Sequence, residues 1–399
     1  MEITYFIDSP KNSDDILFSY THSIEITPNQ SVGDLLNLIR NKHENVKVQA
    51  LYLKGQELAE SDPLSKYTEY LGNNIIFVLD ESQCPEYRLF FNQKKIVNLE
   101  NYEILGVSNV HFDYLTAINA INKKTKKRVT LLQAKEYKGL IHNLSMIDYL
   151  NLPNIIKLYG IRYPLSAGEA QKLEKKELQI EGKIIDLTSF FAVIEPIKSN
   201  YSLSENAKYV ETQGKAPEFI TPTIRSEIVF CISNLMKKMH SKSYVYGNYF
   251  INSIYLNENL EPKLFYFDYT GKENKTRIAF LGSSVFLDPN ICENENIAMK
   301  TSDVYSFAIL LYRMFDDCNY SYNHKINLLF FMSGKRLERP NMISDDYWEL
   351  IQKCWNRDPD RRPSFDEIVE MLKDDRFAIK EFGIETDLDD LHEYQQKYS

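Results

Sequence analysis

The segment TSDVYSFAILLYRMF, Thr301 to Phe315, constrains this chain more than any other. It opens with small polar residues and an aspartate suited to cap a helix, then carries apolar residues on several sides. A helix that is apolar all round cannot lie on a surface, so it must run through the middle of a helical lobe. Further on, CWNRDPDRRPSFDEIVEML (Cys354 to Leu372) sets a tryptophan before a proline turn. Ser364 then stands as an N-cap with Glu367 three residues later, the pattern of a capping box. Upstream, Ile228, Val229, Ile232, Leu235 and Met239 recur at helical spacing within Ile224 to His240. Beyond Thr223 the chain therefore reads as helical. Between Asn101 and about Ile197 strand-like pieces dominate, among them Val129 to Gln133 and Phe190 to Ile194, with one helix-like segment near Tyr137 to Leu150. The pattern predicts a strand-rich lobe over 102–197 and a helix-rich lobe over 198–374. Ser166 to Lys183 and Ser202 to Thr221 have no clear core face and read as surface excursions. No internal repeat is visible.

Residues 1–80 read as a separate mixed domain. Alternating segments at Glu2 to Ile7 and Ile16 to Ile26 suit two strands of a hairpin, with Asp8 to Asp15 as the polar connection. Ser31 is placed to cap a helix, because Val32, Leu35, Leu36 and Ile39 fall on one face. Ala50 to Leu53 is a short strand closed at Gly55, and Ile75 to Leu79 is a buried strand that ends the unit. Two strands, a helix and two further strands make a small β-grasp arrangement. Residues 81–101 are polar and read as a linker, and 375–399 as an acidic tail. Within that tail Leu388 and Leu391 are spaced like a short helix, read as solvated rather than docked.

Composition bounds the function. With 47 Lys and Arg against 56 Asp and Glu the net charge is -9, which argues against nucleic-acid or anionic-membrane binding through bulk charge. Cys84, Cys231, Cys292, Cys318 and Cys354 are far apart with no CxxC pair, so neither a zinc ribbon nor a disulfide framework is indicated. That usage fits a reducing, cytoplasmic compartment. The start, MEITYFIDSP, lacks the basic and apolar regions of a signal peptide. The longest apolar stretches fall far short of the roughly 20 residues that span a bilayer. No membrane or nucleic-acid partner is expected.

The C-terminal phrases, together with LPNIIKLYG (Leu152 to Gly160) and FFAVIEPI (Phe190 to Ile197), resemble protein kinases of the tyrosine-kinase-like group, from about Tyr102 to Asp374. The resemblance implies an α+β, two-lobed kinase-like fold. The stretches SVGDLLNLIRNK, LYLKGQELAESDPLSKY and NIIFVLD resemble ubiquitin-like domains, which implies a built-in binding module at the front. Tyr52 and Val78 fall where that family carries its apolar recognition patch; the other reading of Tyr52 is an isolated exposed aromatic.

Phosphoryl transfer is mostly positioning and electrostatics, so it needs a phosphate-cradling loop, a lysine held by a glutamate, a base and metal ligands. By the resemblance, the glycine positions fall on Val110, Phe112 and Leu115, or in the other register on Gly106, Ser108 and His111. Neither register supplies a glycine triplet. The phosphate-binding lysine corresponds to Leu132, and the glutamate that orients it to Asn143. Losing both partners is self-consistent, since losing one strands a charge. In YVYGNYFINSIYL (Tyr244 to Leu256) the base is Asn248, a metal-binding asparagine is Ser253 and a lysine is Phe250. In PKLFYFD (Pro262 to Asp268) the metal-binding aspartate is Tyr266. Asp268 lies two residues on, about 7 Å along an extended chain, too far to stand in.

What the resemblance leaves is structural. Asp303 would hold the catalytic-loop backbone, and Arg362 would meet Asn290 where the family has a glutamate, weakening an ion pair to a hydrogen bond. The apolar column joining the lobes would be Ile147, Leu158, Tyr246 and Phe267. His240 reads as a helix-end structural residue. A vestigial adenine pocket would be lined by Ala117, Thr130, Glu195 and Ile197. The expectation is a catalytically inactive, pseudokinase-like scaffold or allosteric signalling protein. It would bind protein partners, among them an active kinase and a binder of the ubiquitin-like domain. No cofactor is expected, and neither ATP nor Mg is expected to bind. The alternative is a divergent serine/threonine kinase with displaced catalytic groups.

Overall fold

Capping and patterning fix the first helix. In the computed structural model, described at residues 1–7, 21–43, 48–71, 74–80, 89–90, 92–110, 112, 114–135, 137–201, 220–247, 253–274, 288–293, 297–315, 333–340, 343–381 and 383–399, Ser31 and Asp34 form a reciprocal capping box. It opens α1 (Val32–Lys42), which buries Val32, Leu35, Leu36 and Ile39. These meet the inner side of a mixed sheet made of β1 (Glu2–Phe6), β2 (Thr21–Glu25), β3 (Val48–Leu53), β4 (Gln56–Glu57) and β5 (Ile76–Asp80). The order across the sheet is β2-β1-β5-β3-β4, with β1 and β5 parallel and the other pairs antiparallel. A short α2 (Thr68–Leu71) precedes β5. The expected connection at Asp8 to Asp15 lies outside the described residues.

The next sheet has the order β6-β7-β8-β12-β9, from β6 (Tyr102–Val107), β7 (Thr116–Asn122), β8 (Arg128–Ala134), β9 (Leu158–Arg162) and β12 (Phe190–Ile194). Helix α3 (Ile141–Leu150) lies between β8 and β9 in sequence and ends at Asn151, whose φ of 41° closes it in the left-handed region. Period-2 alternation sends Ile118, Leu131, Phe191 and Val193 to one face, where Ile185 joins their core. Ile185 belongs to the hairpin β10 (Glu177–Ile180) and β11 (Lys183–Asp186), which follows α4 (Ala167–Gln171). Ser166 to Lys183 is therefore no mere surface excursion, because the hairpin and its flank cover this face of the sheet.

Residues 89–101, within the expected linker, pack closely on their neighbours. Leu89 and Phe90 are buried, Ile96 bridges Ile161 in parallel, and Val97 N donates to Ile161 O at 2.9 Å. This close passage explains Gly160, since a Cβ there would lie 2.4 Å from Lys95 O.

The helical part is built on α5 (Pro222–Ser241), capped by Thr221, and α7 (Lys300–Phe315), whose residues from Ser302 to Phe315 are buried except Arg313. A short α6 (Pro289–Glu293) precedes α7; α8 (Asp345–Cys354) and α9 (Phe365–Met371) follow it, the latter opened by the expected Ser364–Glu367 capping box. Strands β13 (Ile197–Tyr201), β15 (Ile254–Asn257) and β16 (Pro262–Leu264) form a small sheet. The pairs β14 (Tyr244–Val245) with β17 (Gly271–Lys272), and β18 (Lys380–Glu381) with β19 (Ile384–Glu385), are ribbons. The chain divides into two compact units, Met1–Asn151 with Ile156–Ile197 and Leu152–Ile155 with Lys198–Ser399.

The solvated-tail expectation fails. Helix α10 (Leu388–Tyr398) buries Leu391, Tyr394 and Tyr398 against α5 and its surroundings. Asn154 Nδ2 donates to Tyr394 Oη at 3.0 Å, and Gln395 Nε2 to Leu372 O at 3.0 Å. The two aromatic residues supply the core face that an acidic composition hides. Beside them Glu227 on α5 is half-buried, and burial, with Asp390 and Glu261 adding repulsion, raises its carboxyl to about 7. A raised folded pKa means stability that is full below the unfolded value and lost as pH rises through about 7. Glu227→Gln is expected to gain stability over the wild type between pH 6 and pH 8, the gain growing with pH. Urea titrations of both proteins at the two pH values check this.

Candidate functional site

The positions where a kinase fold would place its chemistry fall in both units. In the first, Leu132 sits mid-strand on β8, paired with Ala117 of β7 and Ala192 of β12, and is 1% exposed. Two residues along, Thr130 shares its face, so this side of the sheet presents methyl groups and one hydroxyl. The one cation of β8, Arg128, stands exposed at the start of the strand, four residues from Leu132. Gln133, on the opposite face, is spent on Asp186 O and Ser189 Oγ, both at 2.8 Å, and Lys135 is exposed. Asn143 is fully buried on α3, as are Ile147 of α3 and Leu158 of β9. The carboxylate that α3 does carry has a cation: Asp148 Oδ1 meets Lys95 Nζ at 2.7 Å. The sequence reading missed this pair, because Lys95 lies far upstream in a stretch without periodicity.

The two expected glycine registers fall on the end of β6, which carries Gly106, and on the turn between β6 and β7. Val110 and Phe112 are 7% and 1% exposed, so bulky side chains pack where a phosphate cradle needs bare backbone amides. His111 lies outside the described residues. The candidate adenine positions are closed on themselves. Ile197 N donates to Thr130 Oγ1 at 3.2 Å, and the Glu195 carboxylate accepts from Lys157 N at 2.7 Å. Ala117 and Ile197 are buried.

In the second unit, Asp303 at the start of α7 is the organising charge. Its carboxylate accepts from Tyr246 N and Gly247 N, each at 2.8 Å, and lies 2.8 Å from His240 Nε2. His240, at the end of α5, packs edge-on to Phe365. Gly247 is fixed by φ of 65° and by Tyr269 O, which a Cβ would approach to 2.7 Å. Tyr246 packs edge-on to Phe267 at 5.5 Å between ring centres, and both are fully buried. Burial pushes the Tyr246 phenol well above its ordinary range, with the Ser253 hydroxyl partly offsetting it. Ser253 is 3% exposed, while Tyr266 and Asp268 are half-buried. Asn248 and Phe250 lie outside the described residues.

Arg362 does not take Asn290 as its partner. It forms a fully buried, two-pronged pair with Asp288, at 2.5 Å and 3.1 Å, and also donates to Thr301 O at 2.8 Å and Asn356 O at 2.8 Å. Asn290 instead braces that carboxylate, its backbone and side-chain nitrogens each 3.1 Å from Asp288 Oδ1. The charge has moved two residues toward the N-terminus, and the DPN triplet carried that signal. The proposed patch on the first module is also corrected. Val78 is in the module's core, whereas Tyr52 stands opposite Phe77 on the other face of the sheet. Adjacent strand residues point to opposite faces, so Tyr52 and Val78 cannot form one surface.

Residues 266–372 match the family described as protein tyrosine and serine/threonine kinase. The insulin receptor of Xenopus laevis is 22% identical over 322 residues, 78% of this chain and 22% of the receptor. RGS domain-containing serine/threonine-protein kinase A of Dictyostelium discoideum is 31% identical over 145 residues, 36% of this chain and 13% of that protein. The fibroblast growth factor receptor of Halocynthia roretzi is 35% identical over 83 residues, 20% of this chain and 11% of the receptor. The chain thus spans between 11% and 22% of the length of these relatives. Over residues 266–372 the chain is thus similar to protein kinase domains, tyrosine-kinase-like in kind. Among the described residues no helix is long and apolar enough to cross a membrane.

Breaking a buried ion pair from one side strands the other charge, at a cost of about 3–5 kcal/mol. Asp288→Asn is expected to lose stability on that scale, whereas Asn290→Ala, which removes one neutral hydrogen-bonding side chain, loses about 1 kcal/mol. Denaturant midpoints of the two variants test the ranking.

Proposed function

We propose that this chain is a catalytically inactive, kinase-like scaffold that works by binding other proteins. The observation that carries the reading is the face of β8, where Leu132 lies between Ala117 and Ala192 and a phosphate-binding cation would be needed. The rest of the machinery agrees with it. Asn143 and Tyr266 stand where a glutamate and a metal-binding aspartate are expected, and bulky side chains pack in the β6–β7 turn. On this reading residues 102–374 form a two-lobed kinase-like domain, and residues 1–80 a ubiquitin-like module, which the strand order β2-β1-β5-β3-β4 supports. The chain works in the cytoplasm without cofactor, and its partners include an active kinase.

The competing reading, a divergent kinase with displaced groups, draws on the half-buried Asp268 and on relatives whose names are those of kinases. A thermal-shift titration with ATP, with and without Mg, separates the two, because a ligand that binds the native state raises the midpoint by mass action. No shift up to millimolar ATP is expected; a Mg-dependent rise would favour the kinase.

A further inference from the structure

A binding module that recruits partners keeps a face open. The outer face of the first module's sheet is not open, and what covers it belongs to the same chain. Phe77 of β5 packs against Phe6 on one side and stacks on Phe90 on the other, with ring centres 4.6 Å apart and planes 13° from parallel. Phe90 is fully buried, and its carbonyl accepts from the Tyr163 hydroxyl at 3.1 Å. Polar contacts join α4 to the turn after β3 and to α2, on one flank of this aromatic centre. Lys54 pairs with Glu169 of α4 at 2.8 Å, and Glu69 Oε1 accepts from Gly168 N at 2.6 Å and Ser166 Oγ at 2.9 Å. At Gly168 a Cβ would lie 2.2 Å from Glu69 Oε1, so a side chain there would displace this carboxylate from its two hydrogen bonds. A buried aromatic centre flanked by polar contacts is the anatomy of a specific interface.

The contact continues to α3. Ile75 N donates to Tyr137 Oη at 3.0 Å, and Tyr137, just ahead of α3, stacks on Phe190 of β12 at 4.6 Å. From the other side Lys95, carried by the segment that follows the module, pairs with Asp148 of α3.

We infer that the first module is a clamp rather than a recruiting arm: its outer sheet face is a docking surface whose occupant is this chain's own Phe90 segment, α2 and the turn after β3 hold α4 beside it, and its work is to fix α3. In a kinase-like fold without the lysine–glutamate pair, something else must hold that helix, and the module and its connector do so. The inference concerns the ubiquitin-like part and stands whether or not the chain transfers phosphate.

Amide hydrogen exchange on the full chain tests it, read at α3 (141–150) and at β5 (76–80). Phe90→Ala is expected to raise exchange at both sites together by at least tenfold. Lys54→Glu, at the half-exposed flank, is expected to raise both more modestly. Lys95→Met is expected to raise α3 about fivefold while β5 stays protected. If Phe90→Ala does not fold, the other two variants decide. Exchange at α3 that matches the wild type in Lys54→Glu and Lys95→Met, or in Phe90→Ala with β5 exposed, overturns the clamp. ATP-binding and phosphoryl-transfer results move independently of these readouts, so failure of the scaffold reading remains distinguishable.

Discussion

An apolar residue in the middle of β8 sets the terms for everything else. Leu132 is packed between two alanines on neighbouring strands, and a lysine there would bring a charge into a face that offers one hydroxyl. Such a charge is tolerated only with a partner, and the α3 position that the kinase resemblance would pair with it is the amide Asn143. The two substitutions therefore support each other. With neither charge present, α3 needs another tether, and Lys95 with Asp148, together with the aromatic contacts around Tyr137, provides one.

The second unit shows the complementary pattern, in which charges that hold the backbone remain. Asp303 gathers two amides and a histidine, and Arg362 with Asp288 locks the turn before α6 to the segment that leads into α9. Groups of this kind are fully buried and satisfied, which is the condition for a buried charge to be kept. Chemistry at a phosphate asks for the opposite, charges aimed at an open space. The described residues of this chain spend their buried charges on architecture.

Much of this was legible in the sequence and some was not. The all-round apolar α7, the capping boxes at Ser31 and Ser364 and the alternation along β8 and β12 are local patterns, and each produced its element where the pattern lay. The roles assigned to Leu132, Asn143 and Tyr266 rest on the register of neighbouring phrases alone. The packing of 89–101 and of α10 was not legible, since each contributes only a few apolar residues and borrows the rest of its core from distant segments. Phe90, Tyr394 and Tyr398 look like isolated aromatics until the surfaces that receive them are present. Asp288 was overlooked because a displaced charge satisfies Arg362 without occupying the expected position. Tyr52 and Val78 were paired by analogy of position, although strand periodicity places them on opposite faces.

On the scaffold reading proposed above, this fold keeps its framework and lacks the electrostatics of phosphoryl transfer. The most direct test of that reading is transfer of labelled γ-phosphate from ATP by the purified full chain, with Mg or Mn, to itself and to a mixed peptide substrate. No time-dependent incorporation above that of the heat-unfolded protein is expected. Incorporation that is linear in time and enzyme concentration, and that Asp268→Asn abolishes, would contradict that reading.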